Sequence, residues 1–224
     1  NSPVIEWIVV VFMAVAGINF GLYYLVCWGK VGKVLQDTEL KIYLGILLGC
    51  TMLVTFDLMS NAGYLSVADA LRNSAFAIVS QQTTTGFAVA DYDTWPGFSR
   101  LLILIVMVIG ACSGSTGGGF KVIRLVVVAK FAYRHLYSVF NPRAVLPLKI
   151  GGRVVPDGVV RETVGFFILF QLVFLLSSMA LAAMGIDAVT NVSGVVATLG
   201  NVGPGLGLVG PTQNYAWLPD SAKL

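Results

Sequence analysis

Uncharged apolar runs divide this chain, and the glycine-bearing breaks between and inside them set its organisation. Trp7–Trp28 carries no charge and, at about 1.5 Å per residue, reads as one helix spanning roughly 30 Å, a hydrocarbon thickness. Trp7, Tyr23, Tyr24 and Trp28 near its ends suit an interfacial aromatic belt. Ile42 to about Leu65 is a second run of spanning length, with Asp57 as its one charged residue. Ala70–Ser80 is too short to cross, with Asp69 placed to cap it. Thr83-Thr84-Thr85-Gly86-Phe87 then turns the chain into the polar stretch Asp91–Pro96. The spacing predicts a re-entrant hairpin, helix in and extended chain out.

Phe98 to about Ala129 is a long apolar block broken by Cys112-Ser113-Gly114-Ser115-Thr116-Gly117-Gly118-Gly119. Consecutive glycines cost a helix about 1 kcal/mol each relative to alanine, which predicts a discontinuous membrane helix. Close packing of small residues against a neighbouring helix is the other reading that remains open. Asn141–Gly158 is a connection containing Pro and Gly, and Thr163–Met184 is another clean span. Val189–Leu199, opened by Asp187 and Asn191, is a second short segment leading into Gly200–Gly210. Asp69-Ala70-Leu71-Arg72-Asn73 and Asp187-Ala188-Val189-Thr190-Asn191 match in pattern, so the two hairpins form an internal repeat. Two strands cannot encircle an ion, so the chain alone is expected to be half a pore. The fold class expected is an all-α polytopic membrane protein of repeated helix–re-entrant hairpin–helix units, with an incomplete bundle.

Composition agrees with the pattern. Hydrophobic residues make up 57% and charged ones 11%, and mean hydropathy is +0.84. That is too apolar for a soluble domain of this length. The net charge of +3 matters less than its placement. Lys121, Arg124, Lys130, Arg134, Arg143, Lys149, Arg153 and Arg161 fall between two apolar blocks, with a smaller bias at Lys30, Lys33 and Lys41. By the positive-inside rule, 29–41 and 130–161 are cytoplasmic, and charges flanking spans do not point to nucleic acid. Cys27, Cys50 and Cys112 read as buried small hydrophobes, and the single histidine, His135, leaves no multi-histidine metal centre.

The candidate chemistry is that of an ion path. Thr85-Gly86 and Val202-Gly203 are the best placed to offer backbone carbonyls in place of a hydration shell. Glycine admits the dihedrals such a strand requires. Thr83, Thr84 and Asn201 are placed to hold these strands. Each turn follows the C-terminal end of a short helix, whose partial negative charge favours a cation. The alternative is a pair of ordinary helix-ending loops outside the bilayer. Gly114–Gly119 has the spacing of a phosphate-binding loop, but Phe120 stands where its lysine belongs and no strand precedes it. Lys121 and Arg124 read as cytoplasmic basic residues or simple topology anchors. Asp57 is a functional acid or one that merely reaches water.

Together, in order, four groups of residues carry a resemblance covering essentially the whole chain. They are Gly17-Ile18-Asn19-Phe20, Thr83–Phe87, Ser113–Arg124 and Asn201-Val202-Gly203-Pro204-Gly205-Leu206-Gly207. Val209-Gly210-Pro211 and Asn214-Tyr215 follow them. The chain resembles the bacterial Trk/Ktr potassium-uptake membrane subunits, closest to the TrkH type. The resemblance implies a potassium-channel-like architecture. Residues 1–28 would be the last helix of a preceding unit, 29–41 a cytoplasmic loop, and 42–137 a third unit with an interrupted second helix. Residues 138–161 would be a basic cytoplasmic loop, and 162–224 a fourth unit without its closing helix. It also implies a filter of Thr84, Thr85, Gly86, Phe87, Asn201, Val202, Gly203 and Pro204, supported by Thr83, Gly200 and Gly205. K+ would pass the carbonyls of Thr85, Gly86, Val202 and Gly203. Ser113, Gly114, Ser115, Thr116, Gly117, Gly118 and Gly119 would form an intramembrane gate loop. No enzymatic step and no covalently bound cofactor are expected. The implied setting is a full-length homodimer, multi-pass in the cytoplasmic (inner) membrane of a bacterium. Nucleotide would sit only on a TrkA-like cytoplasmic regulatory partner.

Overall fold

The computed structural model describes residues 2–141 and 146–222. Arg143, counted above in the basic connection, lies outside the described residues. Nine α-helices are found among them. The first run is not one straight span. It is α1 (Pro3–Ala16) and α2 (Phe20–Cys27), bent by 94°. Gly17 ends α1, and the Asn19 side chain caps α2 by accepting from Gly21 N at 2.8 Å. A side chain that bonds the next helix's orphan amide starts a new axis rather than extending the old one.

After the short α3 (Val31–Leu35), Asp37 caps α4 (Thr38–Asn61), accepting from Leu40 N at 2.8 Å. α4 and α8 (Asp157–Ala183) are each long and apolar enough to cross a membrane. α5 (Val67–Gln82) is the first short helix, and it starts earlier than the sequence suggested. Ser66 caps it, with Asp69 N donating to Ser66 Oγ at 3.4 Å. Asp69 instead pairs with Arg72 at 2.8 Å, and Arg72 reaches the buried Glu6 of α1 at 2.8 Å.

α6 (Gly97–Val108) and α7 (Val122–Phe140) are the halves of the interrupted helix. Pro96 has no side chain to cap α6, and Asp57 of α4 does so instead. Its carboxylate accepts from Ser99 N at 3.1 Å and Ser99 Oγ at 2.5 Å, and from Asn61 Nδ2 at 2.7 Å. Asp57 is therefore buried in a structural role and does not reach water.

The connection between α7 and α8 is more ordered than its Pro/Gly content suggests. β1 (Lys149–Ile150) and β2 (Arg153–Val154) pair antiparallel across Gly151-Gly152, both at positive φ, +56° and +78°. Two left-handed central residues make this a tight hairpin turn. α8 then leads to α9 (Ala188–Leu199), which Asp187 caps through Thr190 N at 3.0 Å as expected. The Thr190 hydroxyl and amide hold the Asp187 carboxyl below the ordinary carboxylate range.

Three apolar clusters hold the elements. One joins α4, α5, α6 and α9 around Ile78, Ile103, Met107 and Val196. A second joins α1, α2 and α4 to the break after α6 through Met13, Tyr43, Val79 and Cys112. A third, around Val127, Leu148 and Val160, joins α7, the hairpin and α8. The two short helices therefore end inside the core.

Candidate ion-conducting site

α5 and α9 end in the same way. Thr83 and Gly200 are the C-caps, and the next residues, Thr84 and Asn201, both have φ +56°. Thr84 N bonds Gln81 O at 3.2 Å and Thr85 N bonds Ser80 O at 2.9 Å. Asn201 N bonds Thr198 O at 3.0 Å and Val202 N bonds Ala197 O at 2.8 Å. This is the Schellman motif twice over, normally built on glycine in the left-handed position. It uses amides of the turn to satisfy helix carbonyls. The turn's own carbonyls are left over.

Among the described residues, nothing donates to the carbonyls of Thr84, Thr85, Gly86, Asn201 or Val202. The two turns touch. A Cβ on Gly86 (φ +77°) would collide with the Val202 carbonyl oxygen and lie 3.1 Å from Pro204 Cδ. Two other carbonyls are engaged. That of Phe87 accepts from Ser80 Oγ at 2.6 Å, and that of Gly203 accepts from Tyr215 Oη at 2.6 Å. Gly203 (φ +113°) has open space where a Cβ would go, so its need for glycine is conformational. Thr83 is buried and bonds Thr85 hydroxyl to hydroxyl at 2.8 Å. Gly205 packs against Ser193, whose hydroxyl accepts from Leu206 N at 2.9 Å.

The stretch from Cys112 to Gly119 is an ordered loop lying against both turns. Its base is closed by the pairing of Ile109 with Phe120, Gly110 N bonding Phe120 O at 3.0 Å. Gly118 N donates to Thr84 Oγ1 at 2.7 Å. A Cβ on Gly118 would strike the Gly200 carbonyl, and one on Gly117 would lie 3.2 Å from Thr83 O. Only a chain without side chains fits this closely under the helix ends. Ser115 Oγ bonds Cys112 O at 2.6 Å, and the Lys121 ammonium donates to Gly117 O. The bend between α1 and α2 completes the enclosure. Cys112 N bonds Gly17 O at 3.0 Å, Phe20 N bonds Gly114 O at 3.0 Å, and Thr116 Oγ1 bonds Ala16 O at 3.2 Å.

Comparison with known proteins agrees with this geometry. The family model described as TrkH, cation transport protein, matches residues 1–224. The chain belongs to the TrkH family. The Trk system potassium uptake protein TrkH of Salmonella typhimurium is 37% identical over 224 residues, covering 100% of this chain and 46% of that protein. The TrkG protein of Escherichia coli K12 is 31% identical with the same coverage. The crystal structure of the potassium transporter TrkH from Vibrio parahaemolyticus superposes with a TM-score of 0.90 at 35% identity, over 100% of this chain and 48% of that one. This chain thus spans about half the length of the relatives it matches. The all-α membrane architecture with paired hairpins is shared with that TrkH structure.

Within this TrkH-family chain, the glycine turns, the loop 113–119 and Lys121 come together, whereas Asp57 and Arg124 lie elsewhere. Arg124 lies on α7 and stacks over the Phe166 ring of α8 at 4.2 Å. Sequence reasoning missed two acids. Asp93 accepts from Gly207 N at 3.0 Å and pairs with Arg100 at 3.0 Å, tying the return of the first hairpin to the second. Glu39, only 8% exposed, accepts from Ser113 N at 2.6 Å and Ile123 N at 3.2 Å, at either end of the loop. Nothing local marks either one, since each meets partners remote in sequence.

Proposed function

We propose that this chain forms half of a potassium-uptake pore in the cytoplasmic membrane of a bacterium. The observation that carries the reading is the pair of matched caps, which leaves carbonyls of Thr84, Thr85, Gly86, Asn201 and Val202 without donors where two helix C-termini meet. Carbonyls so placed replace part of a cation's hydration shell. The negative ends of α5 and α9 add up to about a kcal/mol each. The names and titles of the TrkH relatives and of the Vibrio structure support potassium as the ion.

Thr85, Gly86 and Val202 supply the coordinating carbonyls. The Gly203 oxygen acts while shared with Tyr215. Thr84, Phe87, Asn201 and Pro204 shape the turns, and Thr83, Gly200 and Gly205 support them from behind. The loop 113–119 closes the path below the turns and must withdraw for ions to pass. The full-length protein works as a homodimer, with a TrkA-like nucleotide-binding partner acting on its basic region 130–161.

The test is radiolabelled rubidium uptake by the reconstituted full-length protein against sodium competition, with Gly86→Ser and Gly203→Ser. Rubidium selectivity that collapses in both variants supports a shared filter. Equal rubidium and sodium flux, indifferent to either change, overturns it.

A further inference from the structure

Glu39 stands in the first turn of α4 among the charges of 29–41, where a solvated side chain is the ordinary expectation. The fold buries it instead. A buried carboxylate is tolerated only where donors replace its water, and these are two backbone amides from separate places. Ser113 N–H lies at the entry of the gate loop, at 2.6 Å. Ile123 N–H lies in the first turn of α7, just past the loop's exit, at 3.2 Å. Lys121, the N-cap of α7, makes no side-chain cap, so the Glu39 carboxylate caps that helix from another element. Among the described residues, no other acidic side chain bonds the stretch 109–123.

We propose that Glu39 is the latch that holds the gate loop against the two filter turns, a positioning residue whose role rests on the gate reading above. While both bonds stand, the entry and exit of the loop are fixed to one side chain. Gly118 then stays under Thr84. Releasing the Ser113 amide frees the entry and leaves α7 capped. A cleft of about 460 Å³ adjoins the carboxylate, lined by Lys33, Asp37, Ile123, Ile150 and Arg153 among others, with Asp37 itself accepting from Leu40 N. It gives the side chain room to turn and two cations to meet.

The test uses the full-length protein in liposomes and compares Glu39→Ala, the isosteric Glu39→Gln, and a control with Ser115–Gly118 shortened. Glu39→Ala removes both hydrogen bonds and is expected to raise basal rubidium uptake at least about tenfold, the low end for losing even one hydrogen bond to a charged group. Both amides share one oxygen, Glu39 Oε1, so Glu39→Gln keeps the acceptor and loses only its charge; it should fall between Glu39→Ala and the parent. The rubidium-to-sodium ratio should not change in either, which a general packing defect would not spare. Unchanged uptake in both Glu39 variants, with raised uptake in the control, overturns the latch and leaves the gate standing. Unchanged uptake in the control removes the gate itself. Raised uptake with lost selectivity would make Glu39 part of the filter's support. If neither variant inserts and purifies, the carboxylate belongs to folding, and the latch is likewise overturned.

Discussion

Thr84 holds a left-handed backbone that suits Asn201 far better than a β-branched residue, at a cost of about 1–2 kcal/mol. Its hydroxyl offsets that cost by receiving Gly118 N at 2.7 Å, so the strain sits where the loop meets the turn after α5. Thr84→Val keeps the shape and removes the acceptor, leaving a half-buried amide unpaired at about 1–3 kcal/mol. Basal rubidium uptake should rise several-fold. Thr84→Asn, suited to the left-handed region and still able to accept, should stay near the parent value. Asp57 calls for a different measurement. Its two oxygens receive three hydrogen bonds, and Asp57→Asn turns an amide N–H₂ toward one set of donors. The melting temperature of the purified protein should fall, by about 1–3 kcal/mol in stability, while ion selectivity holds. An altered selectivity with unchanged melting would return Asp57 to the conduction path.

Helix lengths and glycine breaks made the two hairpins legible, because a short apolar helix followed by a turn glycine has few other uses inside a bilayer. The interrupted α6–α7 pair was legible for the same reason. Hydropathy hid the bend in Trp7–Trp28, since glycine and a single asparagine barely lower it, although Gly17 followed by Asn19 spells a stop and a cap. Ser66-Val67-Ala68-Asp69 likewise has the form of a capping box, passed over for the acid alone. Lys149–Val154 carried the Gly-Gly hairpin signal inside what read as plain connection. The bend matters because a Cβ on Gly17 would strike the Tyr43 hydroxyl and come within 2.9 Å of Thr83 Cγ2, at the foot of the turn after α5. Gly17→Ala should therefore cut rubidium uptake several-fold. Uptake at the parent level would show that the first turn tolerates displacement from below.

Large apolar side chains stand bare along α1, α4 and above all α8, where Ile168, Leu169, Leu172 and Leu176 are all exposed. This fits helices whose surroundings are lipid or the remaining half of a longer protein. The basic end is built differently. Lys130 Nζ bonds Lys149 O at 2.6 Å and Arg134 pairs with Asp157 at 3.2 Å, which fixes the hairpin to α7 and α8 and presents Arg153 outward. Reversing Lys149 and Arg153 to glutamate should weaken co-purification of the full-length protein with the proposed cytoplasmic partner and that partner's effect on uptake. Partner-free uptake should be spared. Full partner binding by that variant would move the docking surface elsewhere. The matched ends of α5 and α9 bear on how the proposed pore tolerates change. Both turns are shaped by main-chain bonds and by one glycine each, so the letters Thr-Thr-Gly-Phe and Asn-Val-Gly-Pro are two spellings of one bend. A chimera carrying either spelling in both places would inherit the same curve of carbonyls, and side-chain drift around that glycine could tune ion preference without rebuilding the pore.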